Sequence, residues 1–232
     1  MPHKSIKGIL FDFNGTLFFD SKLHVKAFKK YFVEHGKEEP SVEYITQNIF
    51  GRSNPRIYTD NFKSNPTPEE CTRFADEKEG LYRDFCLESP ELMKYTDGAC
   101  DMLDWLKENH FPYCLATGSA IDNVSFYNEH MQLWRWFTPE NTVCFDGSFR
   151  GKPEPDIYLI AAGKLGLDPS ECAVFEDGTS GIIAARRAGV GAVIGVYDET
   201  LPSPITDEAY CDALYHDFLC WKEIFKDLGI LR

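Results

Sequence analysis

The sequence lacks three features that would each assign a broad class of function. It is poor in positive charge, with 24 Lys and Arg against 37 Asp and Glu and a net charge of −13. An acidic chain without a dense basic cluster lacks the electrostatic footprint of a nucleic-acid-binding protein. No apolar run approaches the roughly 20 residues of a membrane-spanning helix, and the eight cysteines form no C-x-x-C pair. We therefore expect no nucleic-acid partner, no membrane partner and no zinc site.

The length and the cysteines indicate the size and the location of the protein. A chain of 232 residues can bury a sizeable core and is typical of one large domain or of a domain that carries an insertion. The first residues lead into an apolar strand and show no apolar stretch of the signal-peptide type. Cysteines in a chain without a secretion signal are typical of a reducing compartment, so we expect a cytoplasmic protein. We also expect a monomer or a weak oligomer.

Short apolar runs that are typical of buried strands alternate with amphipathic helices through much of the chain. The runs are Ile6–Phe11, Pro112–Ala116, Val143–Phe145, Ala173–Phe175 and Ala192–Val196. Strands separated by helices indicate a parallel sheet with right-handed crossovers. We therefore predict an α/β fold, in which a Rossmann-like parallel sheet has helices on both of its faces.

The segment 18–91 has a different pattern, because it shows helical periodicity without strand-like runs. Helices are predicted from about Ser21, over Val42–Phe50 and from Thr67. At the last of these, Thr67-Pro68-Glu69-Glu70 is a capping box with proline at the first helical position. We expect this all-helical segment to be an inserted cap domain, and residues 1–17 and 92–232 to form the core domain.

Chemically active side chains follow four of the predicted strands. They are Asp12, Thr117, Lys152 and the pair Glu176–Asp177. Ligands of open parallel sheets bind beyond the carboxyl ends of the strands, so we expect these side chains to meet at one edge of the sheet. Each of them alone is common as a helix cap, whereas the combination is far more specific.

The charged members of this set suit phosphoryl transfer. An ionised Asp12 is an oxygen nucleophile toward phosphorus. Carboxylates from Asp12, Glu176 and Asp177 form a hard oxygen site that suits Mg²⁺. Lys152 supplies a positive charge for phosphate oxygens. Positioning and neutralisation of charge are the main requirements of phosphoryl transfer.

The residues after the second strand are predicted to add a phosphate site. Thr117, Gly118 and Ser119 are expected to open a helix. Their hydroxyl and backbone N–H groups then face a phosphate at the positive end of the helix dipole.

The four strand ends resemble the motifs of the haloacid dehalogenase-like (HAD) superfamily, and the resemblance covers nearly the whole chain. The matching segments are Phe11–Leu17, Ala116–Ser119, Gly151–Pro155 and Glu176–Ile182. The segment 18–91 lies where members with a small helical cap insert it. Within the superfamily, the chain is most similar to the branch of beta-phosphoglucomutases and sugar-phosphate phosphatases.

This resemblance implies an enzyme that forms an aspartyl-phosphate on Asp12. It implies that Thr117 and Lys152 steady the phosphoryl group. It also implies a Mg²⁺ ion held by side-chain oxygens and by the backbone carbonyl of residue 14. The implied metal ligands are Asp12, Asn14, Glu176 and Asp177.

One position departs from the family pattern. Phosphatases and mutases of this kind carry a second aspartate two residues after the nucleophile, as general acid and then base, and this chain has Asn14. A neutral amide donates a hydrogen bond but transfers no proton, and the loss of acid–base help typically lowers a rate by about 10²–10⁴-fold. Three explanations are open: a natural weak or specialised phosphatase, a natural non-hydrolytic relative, or an introduced Asp-to-Asn change.

Related members with other chemistry agree less well with the sequence. Haloacid dehalogenases have an aromatic residue at position 14 and need no metal, yet Glu176 and Asp177 beside Asp12 would repel one another without a cation. Phosphonoacetaldehyde hydrolases need a cap lysine for a Schiff base. The cap segment that we expect to face the site, Phe50–Ser53, contains no lysine.

Two places in the cap are candidates for substrate contacts. Gly51 and Arg52 match a family segment in which an arginine binds the end of the substrate that is not transferred, and a guanidinium suits phosphate. A solvated surface arginine is the alternative. His24 lies where the mutase branch has a histidine that relays a proton near the nucleophile loop, although a lone histidine on a cap helix is more often structural.

We therefore predict a Mg²⁺-dependent phosphatase that acts on a small phosphate monoester, with a sugar phosphate as the first choice, through Asp12. The open alternatives are a beta-phosphoglucomutase-like phosphotransferase and a catalytically impaired protein that binds a phosphorylated metabolite. Cleavage of activated esters separates an impaired enzyme from a binding protein, because only the enzyme retains it.

Overall fold

A six-stranded parallel sheet forms the centre of the protein. The computed structural model describes residues 5–50, 52–202, 205 and 211–231. Its strands are β1 (Gly8–Phe11), β2 (Tyr113–Thr117), β3 (Thr142–Cys144), β4 (Cys172–Glu176), β5 (Ala192–Val196) and β6 (Ala213–Tyr215). They pair in the order β3-β2-β1-β4-β5-β6, and each pair is parallel. The predicted α/β fold with a Rossmann-like sheet is confirmed.

Helices occupy most of the remaining described chain. The first four are α1 (Ser21–Glu34), α2 (Val42–Asn48), α3 (Asn54–Asn61) and α4 (Pro68–Glu88). The others are α5 (Ala99–Glu108), α6 (Ile121–Met131), α7 (Asp156–Leu165), α8 (Thr179–Ala188) and α9 (Trp221–Asp227). None of these helices combines the length and the apolar character that a membrane span requires.

The strands bury side chains on both faces of the sheet, because successive residues of a strand point to opposite faces. Ile9 and Phe11 of β1 belong to one apolar cluster, which includes residues of α5, α6 and α9. Leu10, between them, belongs to a second cluster with residues of α7 and α8. Helices therefore cover both faces, and a strand buried on both sides reads as a continuous apolar run.

The helices α1–α4 fill the segment that we predict to be the cap. They share an apolar cluster that is separate from the two clusters of the sheet, with Phe28, Ile45, Ile57 and Phe74 among its buried members. The Thr67 capping box is present at the start of α4. The exact limits of a cap domain at 18–91 and of a core at 1–17 and 92–232 stay a prediction.

Some local elements differ from the sequence prediction. The helix α2 ends at Asn48, and α6 begins at Ile121, so Thr117, Gly118 and Ser119 precede that helix and do not open it. The helix α3 was not predicted, because its sequence is mostly polar and Ile57 is its one buried residue, so it shows no apolar periodicity. The strand β6 was also missed, because its three residues are half-buried or exposed and show no apolar run.

Candidate active site

The candidate site lies at the topological switch point of the sheet, where the order of the strands reverses. The strand β1 has β2 on one side and β4 on the other, although β2 and β4 are far apart in sequence. This arrangement opens a crevice at the carboxyl ends of the central strands. Asp12 follows β1, Thr117 ends β2, and Glu176 ends β4 immediately before Asp177. The topology therefore places these residues at one edge of the sheet.

Lys152 joins two of the carboxylates. It lies between β3 and α7, and its Nζ is 2.6 Å from Oδ1 of Asp12 and 2.7 Å from Oε2 of Glu176. Although burial disfavours its charge, these carboxylates raise the pKa of Lys152 well above its ordinary value. Lys152 is therefore held protonated beside the proposed nucleophile.

Glu176 is held from two further directions. The hydroxyl of Tyr158, on α7, donates a hydrogen bond to its Oε2, and the backbone N–H of Gly178 donates to its Oε1 at 3.2 Å. The hydroxyl of Tyr158 is buried, and charge-assisted hydrogen bonds of this kind are the strong ones. The carboxylate of Glu176 therefore has a fixed orientation toward Lys152.

The three carboxylates carry more negative charge than Lys152 balances. Oxygens from Asp12, Glu176 and Asp177 lie within 4.8 Å of one another. Burial and the neighbouring Glu176 raise the pKa of Asp12 to about 7, against the opposing effect of Lys152. Burial and the same neighbour raise the pKa of Asp177 well above its ordinary value. A divalent cation fits this oxygen set because it would neutralise the excess charge.

Two glycines allow the backbone to approach these carboxylates. Gly15 has φ of +77°, and a Cβ there would lie 2.0 Å from Oδ2 of Asp177. A Cβ on Gly181, in the first turn of α8, would lie 2.0 Å from Oε2 of Glu176. Larger residues at these positions would push the carboxylates away from the crevice. Neither glycine stands out in the sequence as a site residue.

Asn14 and Ser119 are in direct contact at the edge of the site. The hydroxyl of Ser119 donates a hydrogen bond of 2.7 Å to Oδ1 of Asn14. Thr117 is buried, and its Oγ1 accepts a hydrogen bond of 3.1 Å from the backbone N–H of Ser119. Gly118, between them, is exposed. The hydroxyl of Ser119 is therefore engaged by Asn14 and needs to turn before it can donate to a phosphate.

The candidate residues of the cap lie in two different settings. Arg52 is partly exposed and pairs with Asp60, with 3.1 Å between Nη1 and Oδ2; Gly51 lies outside the described residues. His24 stacks on the ring of Tyr82 at 3.9 Å, and its Nε2 is 3.3 Å from Oδ2 of Asp20. The structure thus brings His24, but not Arg52, into contact with a buried carboxylate.

The predicted cap also approaches the predicted core over Asp177. A narrow cavity of about 10 Å³ is lined by residues from α1, from the chain after α2 and from the loop after β5. Its lining is Gly15, Ser21, Phe50, Asp177, Tyr197, Asp198, Leu201 and Pro202. Phe50 therefore lies near the site, as expected for the segment that begins with it.

Two residues that the structure puts in the site were missed in the sequence. Tyr158 has the spacing of an apolar helix face in the sequence, although its hydroxyl donates to Glu176. Asp20 was not considered, although it contacts Asn14. A carboxylate immediately before a helix reads as an N-cap, but the Asp20 side chain makes no cap hydrogen bond with α1. That discrepancy appears only in three dimensions.

Comparison with known proteins places the chain in a family. The family model described as haloacid dehalogenase-like hydrolase matches residues 6–189. The chain belongs to this family. A probable pseudouridine-5'-phosphatase of Drosophila melanogaster is 30% identical over 215 residues, which are 89% of this chain and 88% of the relative. Fructose-1-phosphate phosphatase YqaB of Escherichia coli is 30% identical over 186 residues, which are 80% and 94% of the two chains.

Solved structures agree with this assignment for the HAD-like hydrolase. A HAD hydrolase of family IA, variant 3, from Entamoeba histolytica has a TM-score of 0.83 and 33% identity, and the match covers 97% of this chain and 98% of that one. A beta-phosphoglucomutase from Clostridium difficile has a TM-score of 0.77 and 22% identity, covers 97% of each chain, and shows the shared fold. The protein is thus an enzyme of the HAD phosphatase and hydrolase type, with an acidic cluster that can hold a divalent metal.

Proposed function

We propose that the protein is a Mg²⁺-dependent phosphatase that acts on a small phosphate monoester, such as a sugar phosphate, through Asp12. The observation that carries this proposal is the cluster of Asp12, Glu176 and Asp177 at the switch point of the sheet, in which Lys152 contacts the buried Asp12 and Glu176. The names of the similar phosphatases from Drosophila melanogaster and Escherichia coli support a phosphorylated small molecule as the substrate.

In the proposed reaction, a carboxylate oxygen of Asp12 attacks phosphorus. The bond from phosphorus to the ester oxygen breaks, and the alcohol leaves with a proton taken from solvent. Water then attacks the aspartyl-phosphate, which releases inorganic phosphate and restores the carboxylate of Asp12. Lys152 stays within reach of the phosphoryl oxygens and offsets their charge, and Thr117 lies at the end of the neighbouring strand.

Mg²⁺ would be held by Asp12, Glu176, Asp177 and the backbone carbonyl of Asn14. When bound, it supplies positive charge for the phosphoryl oxygens and reduces the repulsion between the carboxylates. The identity of the metal as Mg²⁺ is part of the proposal. It rests on the oxygen-only ligand set, which is typical of hard divalent cations.

Asn14 determines which esters we expect the enzyme to cleave well. Its amide transfers no proton to a leaving alcohol, so poor leaving groups such as sugar alkoxides should react slowly. Aryl and acyl phosphates leave without protonation and should react faster. The full engagement of the Asn14 side chain by its neighbours favours, as a second candidate, a protein that binds a phosphorylated metabolite and cleaves it poorly.

The cysteines support a location for this reaction. All eight are free, which agrees with a reducing compartment. We propose that the enzyme acts in the cytoplasm.

The test is phosphate release from a panel of aryl, acyl and sugar phosphates with Mg²⁺, for the wild type and for Asp12→Asn. We expect release from activated esters and a loss on the order of 10⁴-fold or more in Asp12→Asn, as when other covalent nucleophiles are removed. If neither protein releases phosphate but a sugar phosphate raises the Tm of the wild type, the binding function replaces the phosphatase. Activity retained by Asp12→Asn would show that Asp12 is not the nucleophile.

A further inference from the structure

A fully buried tyrosine, Tyr158, lies behind the charged side chains of the candidate site. It belongs to α7, whose apolar residues pack on one face of the sheet. A buried tyrosine hydroxyl normally finds a hydrogen-bond partner, and that of Tyr158 donates to Oε2 of Glu176, at the end of β4. The hydroxyl therefore connects the helix that follows Lys152 with one of the three clustered carboxylates.

The ring of the same side chain lies against Lys152. The Nζ atom of Lys152 is 5.3 Å from the centroid of the Tyr158 ring, and a cation within about 6 Å of an aromatic face is attracted to it. The same Nζ is 2.6 Å from Oδ1 of Asp12 and 2.7 Å from Oε2 of Glu176. Lys152 is therefore held between two carboxylates and one aromatic ring.

We propose that Tyr158 is a positioning residue of the candidate active site, because one side chain fixes two of the charged groups. Its hydroxyl orients Glu176, and its ring holds Lys152 between Glu176 and Asp12. Tyr158 acts through these neighbours and exchanges no bond with the substrate. The proposal rests on the proposed function for its effects on Mg²⁺ binding and on turnover.

The hydroxyl of Tyr158 matters because it shares an oxygen of Glu176 with Lys152. Oε2 of Glu176 accepts from both of these donors, and Oε1 accepts from the backbone N–H of Gly178 at 3.2 Å. Without the hydroxyl, Oε2 would be left to Lys152, which would pair more closely with Glu176 at the expense of Asp12. Groups that hydrogen-bond to a metal ligand orient it, and their removal typically lowers metal affinity or activity by about 10–100-fold.

Tyr113 provides a matched control elsewhere in the sheet. It is also buried, and its hydroxyl donates to the backbone carbonyl of Trp136 at 2.8 Å. Tyr113 begins β2, whereas Thr117 ends this strand at the candidate site. Changes of Tyr158 and of Tyr113 to phenylalanine therefore remove the same buried group, but only the first removes it from the site.

The first test compares Tyr158→Phe, Tyr113→Phe and the wild type by Tm, without and with Mg²⁺. In the metal-free proteins we expect each variant to lose roughly 2–6 °C, because each loses one buried hydrogen bond. The Mg²⁺ concentration needed for an equal rise in Tm should be at least about tenfold higher in Tyr158→Phe than in the wild type. It should be unchanged in Tyr113→Phe.

The second test is the hydrolysis of an aryl phosphate at saturating Mg²⁺. In Tyr158→Phe, kcat should fall about tenfold while KM changes little, because the loss concerns the geometry of the reacting groups and not the binding of substrate. Tyr158→Leu also removes the ring beside Lys152 and should lower kcat by at least about a further threefold. Tyr113→Phe should retain the wild-type kcat. Tyr158→Phe keeps the ring and decides the proposal alone if Tyr158→Leu does not fold.

Each result supports or overturns a defined part of the proposal. A wild-type Mg²⁺ response and a wild-type kcat in Tyr158→Phe would overturn positioning, because a lower Tm alone is also expected of Tyr113→Phe. Equal kcat in Tyr158→Phe and Tyr158→Leu would overturn the role of the ring. If no protein cleaves any ester while only the Tyr158 variants weaken the Mg²⁺ response, the proposed phosphatase function fails and the positioning of Glu176 stands. If Mg²⁺ shifts no Tm and no ester is cleaved, both are overturned.

Discussion

Two groups of carboxylates at the candidate site have opposite surroundings. Oxygens of Asp12, Glu176 and Asp177 crowd together, and Lys152 is in contact with the first two of these carboxylates. Around Asp20, one carboxylate is surrounded by hydrogen-bond donors. The two groups meet at the turn after β1, which links Asp12 to Asp20, yet only the first has excess negative charge.

This difference shows what each group is built to do. Buried like charges raise one another's pKa and destabilise the fold unless a cation joins them, and burial with Glu176 raises the pKa of Asp12 to about 7. A carboxylate with its donors already in place needs no ion and holds the local backbone. The first group is therefore suited to bind a ligand, and the second to keep the first in place.

The largest effect should come from the proposed metal. Chelation of Mg²⁺ should abolish phosphate release, and Mg²⁺ at 100 times its Kd should stabilise the wild type by about 2.7 kcal/mol, which is a Tm rise of roughly 5–10 °C for a chain of this size. In Asp177→Asn the rise should disappear and activity should fall on the order of 10³-fold or more. Activity that survives chelation, or an unchanged Mg²⁺ response in Asp177→Asn, would mean that the acidic group binds no metal ion and, in this respect, is like Asp20.

A larger residue at position 181 can displace the carboxylate of Glu176 without removing any carboxylate from the acidic group. Gly181→Ala puts a methyl group 2.0 Å from Oε2 of Glu176 and should destabilise the fold by about 2–4 kcal/mol. The matched control is Gly163→Ala in α7, where a Cβ would meet open space and should stabilise by about 0.5–1 kcal/mol. Urea unfolding of both variants measures the difference. Equal stabilities would mean that the contact at Gly181 relaxes freely.

In the metal-free protein, the pH dependence of stability should show the effect of crowding Asp12 with Glu176 and Asp177. Burial and Glu176 raise the pKa of Asp12 from 3.8 to about 7, so the folded state holds this proton more tightly than the unfolded state. Its contribution to stability is present near pH 4 and is lost as the pH rises through about 7. Between pH 5 and pH 8, the Tm of the wild type should therefore fall by roughly 5 °C more than that of Asp12→Asn. Parallel pH profiles for the two proteins would contradict the raised pKa.

The exposed ion pair between Arg52 and Asp60 should have the smallest effect on stability. Arg52→Ala breaks the pair with Asp60 and should change the free energy of unfolding by less than about 1 kcal/mol. If Arg52 turns to a substrate, KM for a sugar bisphosphate should rise about tenfold, while KM for an aryl phosphate stays the same. Arg56→Ala is the matched control, because Arg56 also pairs with Asp60. An equal effect of both variants on KM would assign Arg52 to the surface alone.

Much of the fold was predictable because its signals are local. Strands buried on both faces read as apolar runs, and the capping box at Thr67 marks the start of α4. Elements with weak local signals were missed, such as α3 and the edge strand β6. The helix α6 begins two residues after Ser119, because strand and turn take up the segment that looked like its first turn.

The sequence by itself determined the α/β order and the four segments, at or after strands, that carry Asp12, Thr117, Lys152, Glu176 and Asp177. Each of those signals lies within a few neighbouring residues. Only the tertiary structure decided that Tyr158 holds Glu176 and that Asn14 is bound by Asp20 and by Tyr127, which lies 113 residues away in the chain. Hydrogen bonds between buried side chains depend on how helices pack on the sheet, and no local pattern records that packing.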